Sequence, residues 1–355
     1  MLTRFPAALL LSFLAAGLPA WAGQAYLTAP PPDLPSAACM ALLQRGQDAS
    51  NDLEFAVSES LTARAVAMAP NHPLPLVFME GVLLTEIQER LKAGQSSRAL
   101  YRRFDKVASR CRKLADAFER ERQDACGKLY QGGCLGTRGL VEMARGSVIR
   151  AYLDGTGAAA DLRQAVRMDP SLYDAYLGLG QYEYYCGRMS GWFQFLLNLH
   201  GSVPEGLRLL KLCAQKATYA AFPARACLAR IYSEELKDFP AGLPTVSEVY
   251  HRYPVDYYYV RYAVDESLGL GLDKPQARAL LKQVCDQWDA GWRPPRYVAM
   301  DLGPARRLLA RAYAAAGQDA LARRQWAMLA QGPDKALARE ARGVLAGTTD
   351  GEDKP

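Results

Sequence analysis

Only three histidines occur in the 355-residue chain. None stands four residues from another, so no helix face offers two imidazoles to a zinc ion. His72 lies in a proline turn, His200 in an apolar stretch and His251 near the end of a helical pattern. The chain has no G-x-S-x-G elbow, P-loop or dinucleotide fingerprint, and Gly269-Leu270-Gly271 reads as a loop between Leu268 and Leu272. Carboxylates fall close together at Asp265/Glu266, Glu234/Glu235 and Glu119/Glu121. Two carboxyls cleave a glycosidic bond when they face each other across it, whereas neighbours along a helix point apart and read as solvated charges. The sequence therefore reads as non-catalytic, with no cofactor and no metal expected. An enzyme of unrecognised type would need a cleft that gathers Glu183, Tyr184 and His200.

Thiol chemistry is equally sparse in its signals. Eight cysteines are present, an even number that suits an oxidising compartment. The absence of C-x-x-C and C-x-x-C-H removes the usual marks of thioredoxin-type exchange, c-type haem and zinc ribbons. Cys126 and Cys134 form the expected disulfide, because Gly127, Gly132 and Gly133 between them allow a tight reversal between two helices. Cys186, Cys213, Cys227 and Cys285 lie inside helical patterns, where cysteine packs as a small hydrophobe.

The N-terminus sets the expected compartment. Arg4 precedes an apolar run from Ala7 to Leu18, and Ala20-Trp21-Ala22 supplies the small residues of a cleavage site. This pattern predicts a signal peptide over residues 1–22 and a periplasmic or secreted protein. Gly23, not cysteine, follows the cut, and the apolar run is too short for a permanent span. Removing Arg4 lowers the formal charge from +6 to +5, a mild basicity that in an exported protein points to anionic surfaces or acidic partners and not to nucleic acid.

Residues 23–36 hold four prolines and read as an extended leader. Helical periodicity starts at Ala37 and defines an N-terminal helical region over 37–126, with one helix ending near Pro70 and the next running from Leu74. Between about Ser97 and Asp124, the apolar residues Leu100, Phe104, Val107, Cys111, Leu114 and Phe118 make a narrow stripe on a long helix. Between Arg98 and Lys113 its other faces carry Arg98, Arg102, Arg103, Lys106, Arg110, Arg112 and Lys113 against the single acid Asp105. This is either a solvated face or a contact for an anionic partner. A glycine-rich turn is expected over Gly127–Gly139, then repeats over 127–346 and a disordered polar tail over 347–355.

The repeats are carried by particular residues. Gly146, Ala158, Leu162, Ala165 and Pro170 are followed one repeat later by Tyr176, Leu179, Gly180 and Gly187; Leu228, Ala229, Tyr232 and Ala241 form a third set, and Leu309, Ala310, Tyr313, Gly317, Ala322 and Trp326 a fourth. This pattern resembles the tetratricopeptide repeat family, in a degenerate exported bacterial subtype. The resemblance implies an all-α, right-handed solenoid of helix pairs. Glu183 stands where the family has an aromatic residue, residues 255–303 fit only as irregular helices, and Met189–Pro204 interrupts one unit.

The resemblance also implies a concave groove lined by Arg150, Gln181, Tyr184, Arg230, Glu234, Arg307 and Arg311. Such a lining suits a protein or peptide partner, acidic or ending in a free carboxylate, held in a scaffold role. The opposing possibility is that these arginines pair with neighbouring acids. The insertion, with Trp192, Phe193 and Phe195, either caps the groove or meets a partner; together with the basic helix 97–124 it would make a peripheral membrane or envelope-assembly factor.

Overall fold

The computed structural model describes residues 34–189, 201–298 and 300–347. The expected signal peptide, nearly all of the leader, Trp192, Phe193, Phe195, His200 and the tail after Gly347 lie outside the described residues. Those described residues form fifteen α-helices and no strand, an all-α fold. The chain divides into two compact units, Met1–Leu228 and Ala229–Pro355.

The first unit contains α1 (Ala37–Asn51), α2 (Phe55–Met68), α3 (Leu74–Lys92), α4 (Arg98–Arg122), α5 (Ala125–Ala144), α6 (Val148–Met168), α7 (Ala175–Arg188) and α8 (Val203–Lys216). Local chemistry fixes where these helices begin. Ser36 Oγ accepts from Cys39 N–H at 3.3 Å and Asp124 from Gly127 N–H at 2.9 Å, satisfying donors that a helix start leaves open. Each helix packs on its successor, α1 and α5 also reach α3, and α5 touches α7. One core cluster joins Leu83, Leu84 and Ile87 of α3 to Leu100, Phe104 and Ala108 of α4 and Val141 of α5.

The long basic helix is present as α4, and its buried stripe is Leu100, Phe104, Ala108, Cys111 and Ala115. Val107, Leu114 and Phe118 flank the stripe half-buried. Part of its charge is engaged within the unit: Arg103 pairs with Glu59, Arg112 with Asp116 at 2.9 Å, and Arg110 donates to the Pro70 carbonyl at 3.3 Å. Arg98, Arg102, Lys106 and Lys113 are exposed.

The expected glycine turn over 127–139 is instead the interior of α5, so a boundary at 126/127 is not where the chain divides. Gly132 serves close packing: a Cβ there would stand 2.6 Å from Leu162 Cγ and 3.1 Å from the Ala158 carbonyl of α6. The expected Cys126–Cys134 bridge is corrected for the same reason. Eight residues on one helix are separated by about 12 Å of rise, beyond the span of a disulfide. Cys134 is joined instead to Cys111 of α4, with 6.2 Å between Cα atoms, and Cys126 remains a free, half-buried thiol.

The α7–α8 crossing explains Gly180 and Gly187, while Gly178 lies against Leu162 of α6. A Cβ on Gly180 would lie 2.8 Å from Leu210 Cγ, and one on Gly206 would lie 2.5 Å from Tyr184 N and 2.7 Å from its Cα. Because backbone atoms cannot swing aside, Gly206→Ala should destabilise the protein by about 2–3 kcal/mol, the upper part of the range for core overpacking. Urea unfolding of wild type and variant measures it.

Helix α9 (Ala221–Arg230) continues as a π-helical turn, Ile231–Leu236. The second unit adds α10 (Phe239–Arg252), α11 (Tyr257–Leu270), α12 (Pro275–Asp289), α13 (Gly303–Ala315), α14 (Asp319–Ala330) and α15 (Lys335–Ala346). Residues 255–303, expected as irregular helices, hold the regular α11 and α12, joined over residues 271–274, and the longest non-helical stretch among the described residues there runs from Ala290 to Leu302. Ala310, Trp326, Leu329 and Ala341 form a core cluster here.

Candidate functional site

The residues singled out for a groove do not form one lining. Arg230 is 2% exposed and paired with Glu235 at 2.8 Å on the π-helical turn, and Tyr184 is fully buried, its ring edge-on to Tyr185 at 5.1 Å. Neither can meet a ligand in a surface groove. Glu234 pairs with Arg261, while Arg307 and Arg311 share Glu340 at 2.8 and 3.1 Å. Their charge is answered inside the second unit, as the alternative reading expected. Arg150 is exposed on the first turn of α6, beside the exposed Ile149. Glu183 pairs with Arg163 at 2.7 Å, so it does not join Tyr184 in a cleft.

Gln181 does line a cavity, within the first unit. Its walls come from Val77 and Phe78 of α3, Gly133 and Gly136 of α5, Gly155 and Ala159 of α6, and Gly178, Tyr182 and Tyr185 of α7, enclosing about 240 Å³. Tyr219, Ala220 and Pro223 close one side. An apolar cavity of about 150 Å³ already admits benzene, so this one has room for an alkyl chain.

Glycine inside a helix costs about 1 kcal/mol relative to alanine, so each such position calls for a reason. At Gly132 and Gly178 the reason is close contact, since a Cβ on either would meet Leu162 at 2.6 Å. At three other lining positions contact is no reason. A Cβ on Gly133 would find Val77 at 3.7 Å, one on Gly136 would find Ala158 at 3.7 Å, and one on Gly155 would meet nothing within 4 Å. What these glycines do is leave the cavity empty of side chain. Gly155→Ala is accordingly expected to raise stability by about 0.5–1 kcal/mol. Gly132→Ala should lower it, and thermal unfolding of the two gives the contrast.

The polar atoms on the walls are largely committed to the protein. Thr137 Oγ1 donates to the Gly133 carbonyl at 3.1 Å, and Gln181 Nε2 approaches Cys227 Sγ at 3.7 Å. Asp174 accepts from the backbone N–H groups of Thr218, Tyr219 and Ala220 at 3.1, 2.7 and 2.7 Å. Burial raises its pKa, and those three donors pull the other way. Tyr182 is pushed up to about 12 by burial and by the neighbouring Cys186. The walls therefore stay uncharged near neutral pH except for the internally satisfied Asp174, and they present mainly carbon to an occupant.

His72 packs in the same unit between Phe118 and Tyr130, each ring 5.2 Å away, and accepts the Leu74 N–H on Nδ1 at 3.1 Å. Burial lowers its pKa to about 4, which leaves it a neutral packing element at pH 7.

In the second unit Ser233 Oγ, on the π-helical turn, donates to Glu266 Oε2 of α11 at 3.0 Å. Glu266 is fully buried, Oε1 has no hydrogen-bond partner among the described residues, and its pKa is pushed up to about 7, chiefly by burial. Asp238 and Asp265 add to the rise. The carboxylate occupies space left by Gly242 of α10. The adjacent Asp265 faces Arg261 and Lys237 instead, in a separate open cleft. Neighbouring carboxylates thus point apart, and Glu266 serves as a proton-holding core residue.

The cavity's signal is present in the sequence: Gly132, Gly133 and Gly136 recur at helical spacing, with Gly155 on the next helix, but a glycine cluster over 127–139 equally suits a turn. No protein-family model matches this chain, and no curated protein matches it.

Proposed function

We propose that this chain is an exported, non-catalytic binding protein on a degenerate tetratricopeptide-like solenoid, and that it holds a slender apolar chain in the glycine-lined cavity of its first unit. The observation that carries this reading is the set Gly133, Gly136 and Gly155: three helix-interior glycines around one apolar space, each with room for a Cβ. The solenoid reading draws on packing between successive helices within each unit. Export draws on Arg4, the apolar run after it and Ala20-Trp21-Ala22. A scaffold that docks an acidic peptide on arginines has less support, because Arg230, Arg307 and Arg311 are already paired with acids.

Titration with a fluorescent polyene fatty acid separates the two readings. Wild type should bind saturably at one probe per chain. Gly136→Leu, which grows a side chain into the cavity, should weaken binding at least tenfold with helicity unchanged, and the Arg307→Ala, Arg311→Ala double variant should bind as wild type does. Loss of binding in the double variant with retention in Gly136→Leu would transfer the site to the arginines. No saturable binding by wild type would remove the apolar-ligand reading.

A further inference from the structure

Beneath the cavity wall, α3, α4 and α5 bring together three groups that the binding reading does not use. Glu80 of α3 is 0% exposed, and neither carboxylate oxygen has a hydrogen-bond partner among the described residues. Cys111 of α4 and Cys134 of α5 are 0% and 3% exposed. One ligand atom from each of the three residues lies within 4.8 Å of the others. A buried carboxyl with no partner is costly if ionised and remains unsatisfied even as a neutral group. At a fully buried position Leu or Met would cost less than an unpartnered carboxyl.

We propose that Glu80, Cys111 and Cys134 form a metal site for a thiophilic divalent cation of the zinc class, filled when the two cysteines are thiols and closed when they are joined as a disulfide. Two thiolates and one carboxylate are a zinc-type donor set, with ligand distances of about 2.3 Å for sulfur and about 2.0–2.2 Å for oxygen. A tetrahedral ion at those distances holds its two sulfurs about 3.7 Å apart, a separation open to Cys111 and Cys134 once their bond is broken. A water would complete the fourth position. Glu80 then has the partner it lacks, and the guanidinium of Arg138, one turn beyond Cys134 on α5, acts on Glu80 to offset the added negative charge.

The two forms interconvert by a balanced exchange. A dithiol donor gives two electrons and two protons to the Cys111–Cys134 bond and is itself oxidised to a disulfide. Binding of the divalent cation then releases both thiol protons and, from a protonated Glu80, a third. Burial of all three groups means that the choice between metal and disulfide is made during folding or on local opening, not by a reagent at the surface.

Cobalt(II) tests the site in the full chain. Protein reduced with a dithiol, and freed of excess reductant under argon, should develop a thiolate-to-cobalt charge-transfer band and tetrahedral d–d bands that saturate at one cobalt per chain. Zinc should displace the cobalt, and air-oxidised protein should give neither band. Glu80→Gln, close in shape to a neutral glutamic acid, should weaken cobalt binding at least tenfold, and Cys134→Ser should abolish the bands. Because Cys134→Ser removes the bridge and can unfold the chain, reduced wild type is also alkylated with and without zinc in mild denaturant, where local opening exposes buried thiols, and mapped: Cys111 and Cys134 should be labelled without zinc and protected with it, while Cys126 is labelled in both. Absence of saturable bands in reduced wild type overturns the proposal, as does an unchanged titration in Glu80→Gln or zinc-independent labelling of Cys111 and Cys134.

Discussion

Asp174→Ala is expected to lower the unfolding free energy by about 4.5 kcal/mol, from the loss of three hydrogen bonds to a carboxylate at about 1.5 kcal/mol each. The side chain reaches from the N-cap position of α7 to the Thr218, Tyr219 and Ala220 amides, and so ties the α8–α9 connection to α7. Ala220 is buried, and its amide would be left without an acceptor in the alanine variant. Asp174→Asn keeps one acceptor oxygen and should cost less than half as much. Urea denaturation of the three proteins measures the order, and equal stability of wild type and Asp174→Ala would show that the loop is held by its own packing. Since Asp174, Tyr219 and Ala220 all line the cavity, the same substitution should also weaken apolar-ligand binding.

Glu266→Gln should act in the opposite direction. The folded protein holds the Glu266 proton up to about pH 7, whereas the unfolded chain gives it up near the ordinary value of 4.5. The folded state therefore binds the extra proton across that window. Stability is full below about pH 4.5, falls as pH rises toward 7 and levels above it. At about 1.4 kcal/mol per pH unit the loss reaches about 3 kcal/mol. Glutamine carries no proton to lose and can still accept from Ser233. The variant should match wild type at pH 4, exceed it by about 3 kcal/mol at pH 8, and lack the intervening slope. A parallel pair of pH–stability curves would mean that Glu266 stays ionised in the folded protein.

Much of the helical framework is legible in the residues themselves. The apolar period of α4, the breaks around Pro70 and Gly146, and the tight spacing of Gly178, Gly180 and Gly187 depend on neighbours along the chain or one helix away. What the sequence hides is the partner of each long side chain. Cys126 and Cys134 look like a natural bridge across glycines because glycine marks turns, yet close packing of α5 on α6 holds Gly127–Gly139 helical, and Cys111 becomes the nearer thiol. Arg230 has the offset that a repeat resemblance assigns to a groove, but the π-helical turn after it places Glu235 at 2.8 Å. A five-residue separation would not pair on an ordinary helix face. The cavity is hidden for a different reason: glycines that admit a close helix and glycines that leave a void have the same letter. Only the contact a Cβ would make separates Gly132 from Gly155.

Calorimetric titration of octanol into wild type and Gly155→Leu, repeated at several temperatures, tests the central claim most directly. Entry of an apolar chain into the cavity predicts one saturable site per chain in wild type with a negative heat-capacity change. In Gly155→Leu, whose new side chain extends into the space Gly155 leaves open, that site should be gone while the folded structure is retained. No saturable heat in wild type, or the same site and heat capacity in Gly155→Leu, would contradict a ligand held there.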